Sequence, residues 1–210
     1  MTDIINNKEL YNDLEVLRTV FLQKAAEHFD GSSLKAVQKA LKVADEAHAG
    51  QNRDDGSPYL FHPLRIAMVC LEDFKQYDVD TICLALLHDT AEDQEWVTAG
   101  YLIAEFGNSI ASDVLTLTKP EKNGRTRDEI NRIYFERLRH ANLRCVLVKL
   151  LDKLDNVRDV ANSDDLHKRQ RTAEEAKSFY MKELVMNLTN DEQRKQILRL
   201  FDLALNNLEW

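Results

Sequence analysis

The feature that most constrains the fold of this sequence is an apolar run that ends abruptly in charged residues, between positions 80 and 93. Ile82 to Leu87 are six consecutive apolar residues, and neither glycine nor proline flanks them closely. This pattern predicts a helix that is buried on nearly all sides. We expect the helix to carry His88 and Asp89 into the protein interior, with a further pair of carboxylates one turn beyond them.

The acidic residues at the end of this helix need compensation. Asp89, Glu92 and Asp93 fall within five positions, and buried carboxylates persist where they are paired or bind a metal. One interpretation is a divalent cation held by His88 and Asp89, which leaves Glu92 and Asp93 for proton transfer. The other is that the helix reaches the surface after Leu87 and that water hydrates the carboxylates. A histidine–aspartate pair alone does not decide between them.

Composition favours an all-α protein. Only 6 Gly and 3 Pro occur in 210 residues, so few positions interrupt helices. We predict about eight to ten helices in a single domain over residues 1–210. They include an N-terminal helix over 8–29, a second one from about 34 to 49 capped by Ser32 or Ser33, and C-terminal helices over 181–208.

Charge and cysteine usage restrict the partners and the compartment. The formal net charge of −8 argues against nonspecific binding to nucleic acid or to an anionic membrane, although a locally basic pocket can receive an anionic ligand. Cys70, Cys83 and Cys145 each lie in an apolar run, which predicts buried reduced thiols. Neither a signal peptide nor a membrane span is recognisable. We therefore expect a soluble cytoplasmic protein, monomeric or homodimeric, that acts on a small molecule.

A second predicted helix, over residues 143–160, has the same pattern as residues 80–93, in which an apolar stretch is followed by charged residues. Within residues 143–160, the stretch from Cys145 to Leu151 is apolar apart from Lys149, and the sequence then becomes polar. Lys149, Asp152 and Asn156 share one helical face by their spacing of three and four residues. Asp152 is therefore a candidate ligand near the core, and an ion pair between Lys149 and Asp152 is the alternative.

A third candidate ligand follows the longest loop in the sequence. Residues 51–63 read Q-N-R-D-D-G-S-P-Y-L-F-H-P, and Pro63 suits the first turn of the helix that follows. His62 then lies at the mouth of that helix, where we expect its side chain to face outward into a cleft. A capping residue between aromatic neighbours is the alternative reading of His62.

These candidates together spell H…HD…D, formed by His62, His88, Asp89 and Asp152. Imidazole nitrogens combined with carboxylate oxygens suit a divalent transition ion such as manganese or iron better than calcium. The absence of thiolates from the set argues against a structural zinc site.

Six segments carry a resemblance to a known family. They are A-H-A-G-Q-N-R at 47–53, G-S-P-Y-L-F-H-P at 56–63, A-L-L-H-D-T-A-E-D at 85–93, E-F-G-N-S-I at 105–110, T-K at 118–119 and V-K-L-L-D-K-L-D-N-V-R-D at 148–159. With these segments the sequence resembles the HD-domain metal-dependent phosphohydrolases, and among them the hydrolase domain of the RelA/SpoT alarmone enzymes. The match runs over about residues 34–180.

The resemblance implies a helical bundle with one Mn²⁺ ion, or another divalent transition ion, bound to the four residues of the H…HD…D set. It also implies that Glu92 and Asp93 activate water and transfer protons, that Arg53 packs against guanine, and that Asn156 lines the site. Because the protein is acidic overall, binding of a nucleotide polyphosphate requires nearby cationic side chains. Candidates for this role are Lys119, Arg125, Arg127 and Lys149, and a solvated or salt-bridged role is the alternative for each.

The activity implied is removal of the 3′-pyrophosphate from guanosine tetra- or pentaphosphate, (p)ppGpp, to give GDP or GTP and pyrophosphate. No synthetase segment follows, so the sequence is most similar to the stand-alone small alarmone hydrolases, which include the metazoan SpoT homologue. Two departures from the family pattern are Asp54, where a basic residue is common, and Asp155, where histidine or tyrosine is common.

Two other functions stay open. The same core can act on a different nucleotide, such as a nucleoside mono- or triphosphate or the 2′-phosphate of NADPH, and Asp54 gives this some weight. The chain can also be a non-catalytic regulatory module that binds a nucleotide. A binding module has no need of both the ligand set and the Glu92–Asp93 pair, which favours an enzyme.

Overall fold

The computed structural model describes residues 13–161 and 163–208, and this part of the chain is all-α, as predicted. It contains ten α-helices, one of which is a single turn, and no β-strand beyond an isolated bridge between Asn52 and Pro58. The described residues form two compact units, the first ending at Leu115 and the second beginning at Thr116.

Six α-helices begin in the first unit. They are α1 (Leu14–His28), α2 (Gly31–Ala47), α3 (Phe61–Met68), α4 (Val79–Leu87), α5 (Thr90–Asp93) and α6 (Ala99–Leu117). A π-helical turn over Val69–Asp73 continues α3. Residues 8–12 of the predicted N-terminal helix lie outside the described part. The predicted cap of α2 is wrong by two or three residues, because Asp30 has extended backbone and the helix starts at Gly31, ahead of the two serines.

The core of the first unit is built around α4. Every residue from Thr81 to Leu87 is buried, and the six side chains of the apolar run are 0% exposed. The helix packs against α2 and α3. Burial of each large aliphatic side chain stabilises the fold by about 1.5–3 kcal/mol. Burial of the whole run therefore favours a central position for this helix.

The predicted continuous helix over 80–93 is interrupted after α4. The α4 helix ends at Leu87, and α5 is a separate turn that begins at Thr90. The hydroxyl of Thr90 donates a hydrogen bond of 2.7 Å to the carbonyl of Leu87. A continued helix would use that carbonyl for the backbone N–H four residues on, so the threonine competes with helix propagation.

Gly107 separates two segments of the sequence, A-G-Y-L-I-A-E-F before it and N-S-I-A-S-D-V-L after it, which predict two short helices, and this division of α6 is confirmed. Gly107 has φ +81° and ψ 171°, and the helix is kinked there. A residue with a side chain rarely adopts this backbone conformation, which explains the glycine. At the start of α6, the hydroxyl of Thr98 accepts a hydrogen bond of 3.1 Å from the N–H of Tyr101, as expected of a cap.

The second unit is organised around one long helix, α8. The helices of this unit are α7 (Arg127–Arg139), α8 (Leu143–Val160), α9 (Leu166–Glu175) and α10 (Asp191–Asn206), with a π-helical turn at Ala176–Tyr180 and a 3₁₀ turn at Leu184–Asn187. Every residue of α8 from Cys145 to Asp155 is buried, and α8 packs against α9 and α10. The C-terminal helices predicted over 181–208 are the 3₁₀ turn and α10.

Two further expectations concern thiols and membranes. Cys70, Cys83 and Cys145 are buried free cysteines, as predicted. Among the described helices, none combines the length and the apolar character needed to cross a bilayer.

Candidate metal centre

Three of the predicted ligands meet in the first unit, where α3 begins and α4 ends. The Nε2 atoms of His62 and His88 lie 3.4 Å and 3.2 Å from Oδ2 of Asp89. Each residue offers one ligand atom within 4.8 Å of the others. Both imidazole side chains are 0% exposed, whereas the Asp89 side chain is 14% exposed. The group is therefore buried with its carboxylate nearest to solvent.

The position of His88 follows from the burial of α4. The helix carries His88 into the interior as its C-terminal flanking residue, and Nδ1 of His88 lies 2.9 Å from the carbonyl oxygen of Ala85. A carbonyl only accepts, so this contact places the ring proton on Nδ1 and leaves the Nε2 lone pair directed at Asp89. Histidines that bind metals are commonly oriented in this way.

The prediction for His62 is right in position along the helix but wrong in exposure. His62 lies in the first turn of α3, as expected, and its backbone N–H donates to the carbonyl of Tyr59 at 2.9 Å. Its side chain is fully buried and does not face outward. The rings of His62 and His88 have centroids 5.2 Å apart, so the packing of α3 against α4 brings the two imidazoles together.

This donor set fits a divalent transition ion. Two imidazole nitrogens and one carboxylate oxygen converge on a single point. With its proton on Nδ1, His88 has Nε2 available to bind a metal. Asp89 is too buried for the alternative of a solvated surface carboxylate.

The alternative of a solvated carboxylate suits Glu92 better than Asp89, because Glu92 is exposed on the short helix α5. The side chain of Asp93 lies outside the described part of the structure. The catalytic roles of Glu92 and Asp93 therefore stay predictions.

Sequence analysis missed Tyr59. Its hydroxyl donates a hydrogen bond of 2.8 Å to Oδ2 of Asp89, the same oxygen that faces both histidines. The Tyr59 ring meets His62 edge-on at 5.7 Å and lies 4.6 Å from the ring of His48. The available signal was its position three residues before His62, since that spacing places two side chains near one another at the start of a helix.

The predicted base-binding residue Arg53 lies next to Tyr59. The N–H of Arg53 donates to the carbonyl of Ser57 at 2.8 Å, and Gly56, with φ +84°, forms the tip of this small hairpin. The Cζ of Arg53 is 5.4 Å from the Tyr59 ring centroid, which is a cation–π distance. Asp54, the departure from the family pattern, is exposed at the same tip.

In the second unit, the predicted fourth ligand Asp152 is buried on α8. Nζ of Lys149 lies 2.6 Å from Oδ2 of Asp152, so the ion pair considered in the sequence is present. Nδ2 of Asn156 donates to Oδ1 of Asp152 at 2.6 Å. Carboxylate oxygens accept more than one contact, so neither interaction precludes metal binding by Asp152.

Two of the predicted phosphate-binding cations share one aromatic ring in the second unit. Nζ of Lys149 and Nζ of Lys119 lie 5.2 Å and 5.9 Å from the centroid of Tyr134. Arg137, which sequence analysis missed, lies 5.3 Å from the same centroid. Tyr134 is itself fully buried, and its hydroxyl donates to the carbonyl of Leu117 at 2.6 Å. This cluster gathers positive charge around one fixed ring.

The other two cation candidates, Arg125 and Arg127, are exposed. Arg127 contacts Glu175 at 3.4 Å, and Glu175 also pairs with the buried Lys153 at 2.8 Å. Desolvation opposes ionisation of Glu175, but the charge and hydrogen bond of Lys153, together with the charges of Lys119 and Arg127, outweigh it and lower the pKa of Glu175 below its ordinary value. Burial raises the pKa of Tyr180 in this region well above its ordinary value.

With this geometry in view, comparison with known proteins defines the class. A sequence profile of the HD domain matches residues 40–182, which is more than half of the chain. The chain belongs to the HD domain family.

Its curated relatives include SpoT-like (p)ppGpp enzymes, as the sequence motifs predicted. The guanosine-3′,5′-bis(diphosphate) 3′-pyrophosphohydrolase of Vibrio cholerae is 35% identical in an alignment of 161 residues that covers 74% of this chain and 22% of the relative. The bifunctional (p)ppGpp synthase/hydrolase SpoT of Escherichia coli is 34% identical in an alignment of 153 residues that covers 70% of this chain and 21% of the relative. The chain thus spans about a fifth of the length of these proteins.

A solved structure shares the fold. It is that of a metazoan orthologue of SpoT, described as hydrolysing ppGpp and playing a role in starvation responses. The alignment has a TM-score of 0.70 at 22% identity and covers 86% of this chain and 99% of the solved one.

Proposed function

We propose that this chain is a metal-dependent pyrophosphohydrolase that removes the 3′-pyrophosphate from (p)ppGpp, giving GDP or GTP and pyrophosphate. The observation that carries the proposal is the buried convergence of His62, His88 and Asp89 within an HD domain. Relatives named for this activity match 70–74% of the chain. The chain spans only part of those relatives, and the convergence of the three side chains supports metal-assisted chemistry within that part.

The proposed metal is Mn²⁺, with Asp152 as the fourth ligand beside His62, His88 and Asp89. When bound, such an ion activates water and neutralises charge on a phosphate group. The mixed nitrogen and oxygen donors support manganese or a similar transition ion over calcium. For Asp152, the support is its burial beside Lys149 and Asn156, which fix both carboxylate oxygens on α8.

The chain's own residues would complete the reaction. Glu92 and Asp93 are proposed to accept a proton from the attacking water and to donate one to the leaving oxygen. Glu92 is exposed, so its carboxylate is accessible to water and substrate. Both lie within four residues of Asp89 in the sequence, which supports a place near the reacting phosphate.

Substrate binding is proposed for Arg53, Asn156, Lys149 and Lys119. Arg53 lies on the hairpin beside Tyr59, where its guanidinium can stack on a guanine face. Lys119 and Lys149 share the Tyr134 ring and supply positive charge for the polyphosphate of the nucleotide. The protein is otherwise acidic, with a formal charge of −8, so such a local group of cations is needed to admit the substrate.

We further propose that the protein acts in the cytoplasm as a monomer or homodimer, without nucleic acid or membrane as a partner. Its three buried free cysteines suit a reducing compartment. Its net negative charge disfavours association with phosphate backbones and anionic lipids.

The test is incubation of the purified protein with ppGpp and Mn²⁺, with pyrophosphate and GDP quantified by chromatography. GTP, GMP and NADPH are assayed in parallel. Release of pyrophosphate from ppGpp in preference to the other nucleotides is the expected result. A protein that binds Mn²⁺ but releases phosphate only from another nucleotide would show that the substrate assignment is wrong.

Variants of the ligands link turnover to metal. His88→Ala and Asp89→Asn are expected to lose turnover and bound manganese together, measured by elemental analysis of the same samples. The matched control is His140→Ala, because the His140 side chain is 78% exposed and the residue directly follows α7. Full manganese-dependent activity of either ligand variant would refute the assignment.

The fourth ligand is tested by a matched pair on one helix. Asp152→Asn should lower manganese affinity, whereas Asp159→Asn, two turns further along α8, should leave it unchanged. Equal affinities of the two variants would exclude Asp152 from the metal site.

A further inference from the structure

We propose that Tyr59 is a positioning residue that couples the Arg53 hairpin to the metal centre, with its hydroxyl orienting Asp89 and its ring supporting Arg53. The inference rests on the proposed function, because it assigns a metal to Asp89 and a nucleotide to Arg53. It adds a residue that acts through these two neighbours and touches neither metal nor substrate.

The hydroxyl contact determines how Asp89 presents its oxygen. The Tyr59 hydroxyl donates to Oδ2 of Asp89 at 2.8 Å, and the same oxygen lies 3.4 Å and 3.2 Å from the two histidine nitrogens. A hydrogen bond from a fixed hydroxyl restricts rotation of the Asp89 carboxylate. Oδ2 therefore stays directed at the point where the ligand atoms of His62 and His88 converge. Outer partners of this kind typically change metal affinity 10- to 100-fold when removed.

The backbone of Tyr59 joins the hairpin to the helix that carries His62. The N–H of Tyr59 donates to the carbonyl of Gln51 at 3.0 Å, which closes the base of the hairpin. Its carbonyl accepts from the N–H of His62 at 2.9 Å, in the first turn of α3. A displacement of the hairpin is therefore transmitted directly to both the Tyr59 side chain and the start of α3.

The ring of Tyr59 is fixed by its neighbours. His48, 3% exposed, packs on it with ring centroids 4.6 Å apart, and Nδ1 of His48 lies 2.8 Å from Oε1 of Gln51. His62 meets the ring edge-on, and the Arg53 guanidinium lies 5.4 Å from its centroid. A ring enclosed in this way can support the guanidinium and the hydroxyl contact at the same time, which is the preorganisation that a binding site requires.

Two substitutions separate these contributions. Tyr59→Phe retains the ring and its contact with Arg53 but removes the hydroxyl. It should weaken Mn²⁺ binding about 10- to 100-fold and leave the KM for ppGpp unchanged at saturating metal. Tyr59→Leu also removes the ring, and it should additionally raise that KM about two- to five-fold, as expected for loss of an exposed cation–π contact.

Metal affinity is measured by calorimetric titration of Mn²⁺ into the metal-free protein of residues 1–210, so the principal readout does not depend on turnover. Tyr101→Phe is the matched control, because it removes a tyrosine hydroxyl elsewhere in the first unit, on α6. Thermal unfolding of each variant is recorded beside the titration. Tyr59→Phe should melt within about 2 °C of wild type, which separates positioning from a general loss of structure.

Wild-type Mn²⁺ affinity in Tyr59→Phe would refute the role of the hydroxyl, and a weakening equal to that of Tyr101→Phe would do the same. An unchanged KM in Tyr59→Leu would refute the coupling to Arg53. If wild type binds Mn²⁺ without hydrolysing ppGpp, and Tyr59→Phe weakens that binding, the proposed function fails but the positioning of Asp89 stands. If wild type binds no Mn²⁺, both proposals fail.

Discussion

Removal of the Glu175 carboxylate should destabilise the protein through a single buried partner, Lys153. Nζ of Lys153 lies 2.8 Å from Oε2 of Glu175, and the two side chains are 10% and 19% exposed. Desolvation lowers the pKa of Lys153, and the attraction of Glu175 offsets part of this effect. Glu175→Ala therefore leaves an ammonium group in the interior without the carboxylate that stabilises it.

The expected loss is about 3 kcal/mol. Breaking a buried ion pair on one side costs about 3–5 kcal/mol. The lower end applies because the Glu175 side chain is partly accessible and because the Tyr180 ring remains 5.2 Å from Nζ of Lys153. Loss of the second contact of Glu175, with the 53% exposed Arg127, adds at most about 0.5 kcal/mol. For a chain of this size the total of about 3–3.5 kcal/mol corresponds to a decrease in Tm of about 6–14 °C.

The assay is urea unfolding followed by circular dichroism. Glu175→Ala and Lys153→Met are compared with the double variant Lys153→Met/Glu175→Leu, in which apolar side chains replace the whole pair. The double variant should recover to within about 1 kcal/mol of wild type, since an apolar pair avoids the desolvation cost. Arg127→Ala is the control for the surface contact. The reasoning would be refuted if Glu175→Ala were as stable as wild type, or if the double variant were no more stable than Glu175→Ala.

The same pair gives a pH dependence with a definite sign. The pKa of Glu175 is lowered in the folded protein from an ordinary value of 4.5. Its ionised form therefore contributes stability fully above pH 4.5, and this contribution is lost as the pH falls through the folded-state pKa. The difference in Tm between wild type and Glu175→Gln should be constant near neutral pH and decrease below pH 4.5.

Three further predictions concern the core, the chemistry and the thiols. Leu84→Ala, in the fully buried run of α4, should cost about 3 kcal/mol in urea unfolding. Leu203→Ala, 50% exposed, should stay within about 0.5 kcal/mol, and equal losses would contradict the burial pattern. Glu92→Gln should reduce turnover about 10²- to 10⁴-fold with Mn²⁺ content unchanged, and turnover within three-fold of wild type would exclude it as a proton-transfer group. Burial raises the pKa of Cys83 to about 12 and that of Cys70 further, so a disulfide thiol reagent at pH 8 should label these cysteines only after unfolding.

Local sequence patterns predicted the elements that depend on burial. The apolar run from Ile82 to Leu87 predicted α4, because six consecutive apolar side chains have no favourable place outside the core. The change from apolar to polar along residues 143–160 predicted α8 and its buried pair of Lys149 and Asp152 in the same way. The kink of α6 followed from Gly107 itself.

Features that depend on competition between contacts were not predictable. The helix expected over 80–93 ends at Leu87, where the Thr90 hydroxyl donates to the Leu87 carbonyl, and helix propensity does not predict this contact. The start of α2 at Gly31 is a similar case, since either serine after it was an acceptable cap by residue type.

The candidate site shows the same division between pattern and packing. His88 and Asp89 were identifiable from their place after the buried run. The burial of His62 and the hydrogen bond from Tyr59 to Asp89 arise from packing of α3 against α4. Contacts between segments about thirty positions apart, such as that hydrogen bond, leave no periodic trace in the sequence.

The uniform burial of α4 affects how substitutions near the site should be interpreted. A helix with one solvent-facing side tolerates change at regular intervals, whereas α4 offers no such positions between Thr81 and Leu87. In a saturation mutagenesis screen this segment should appear as an unbroken block of intolerance that runs directly into His88 and Asp89. Loss of function in the block reports impaired folding, and only a measurement of soluble protein abundance distinguishes it from loss of chemistry at the two residues that follow.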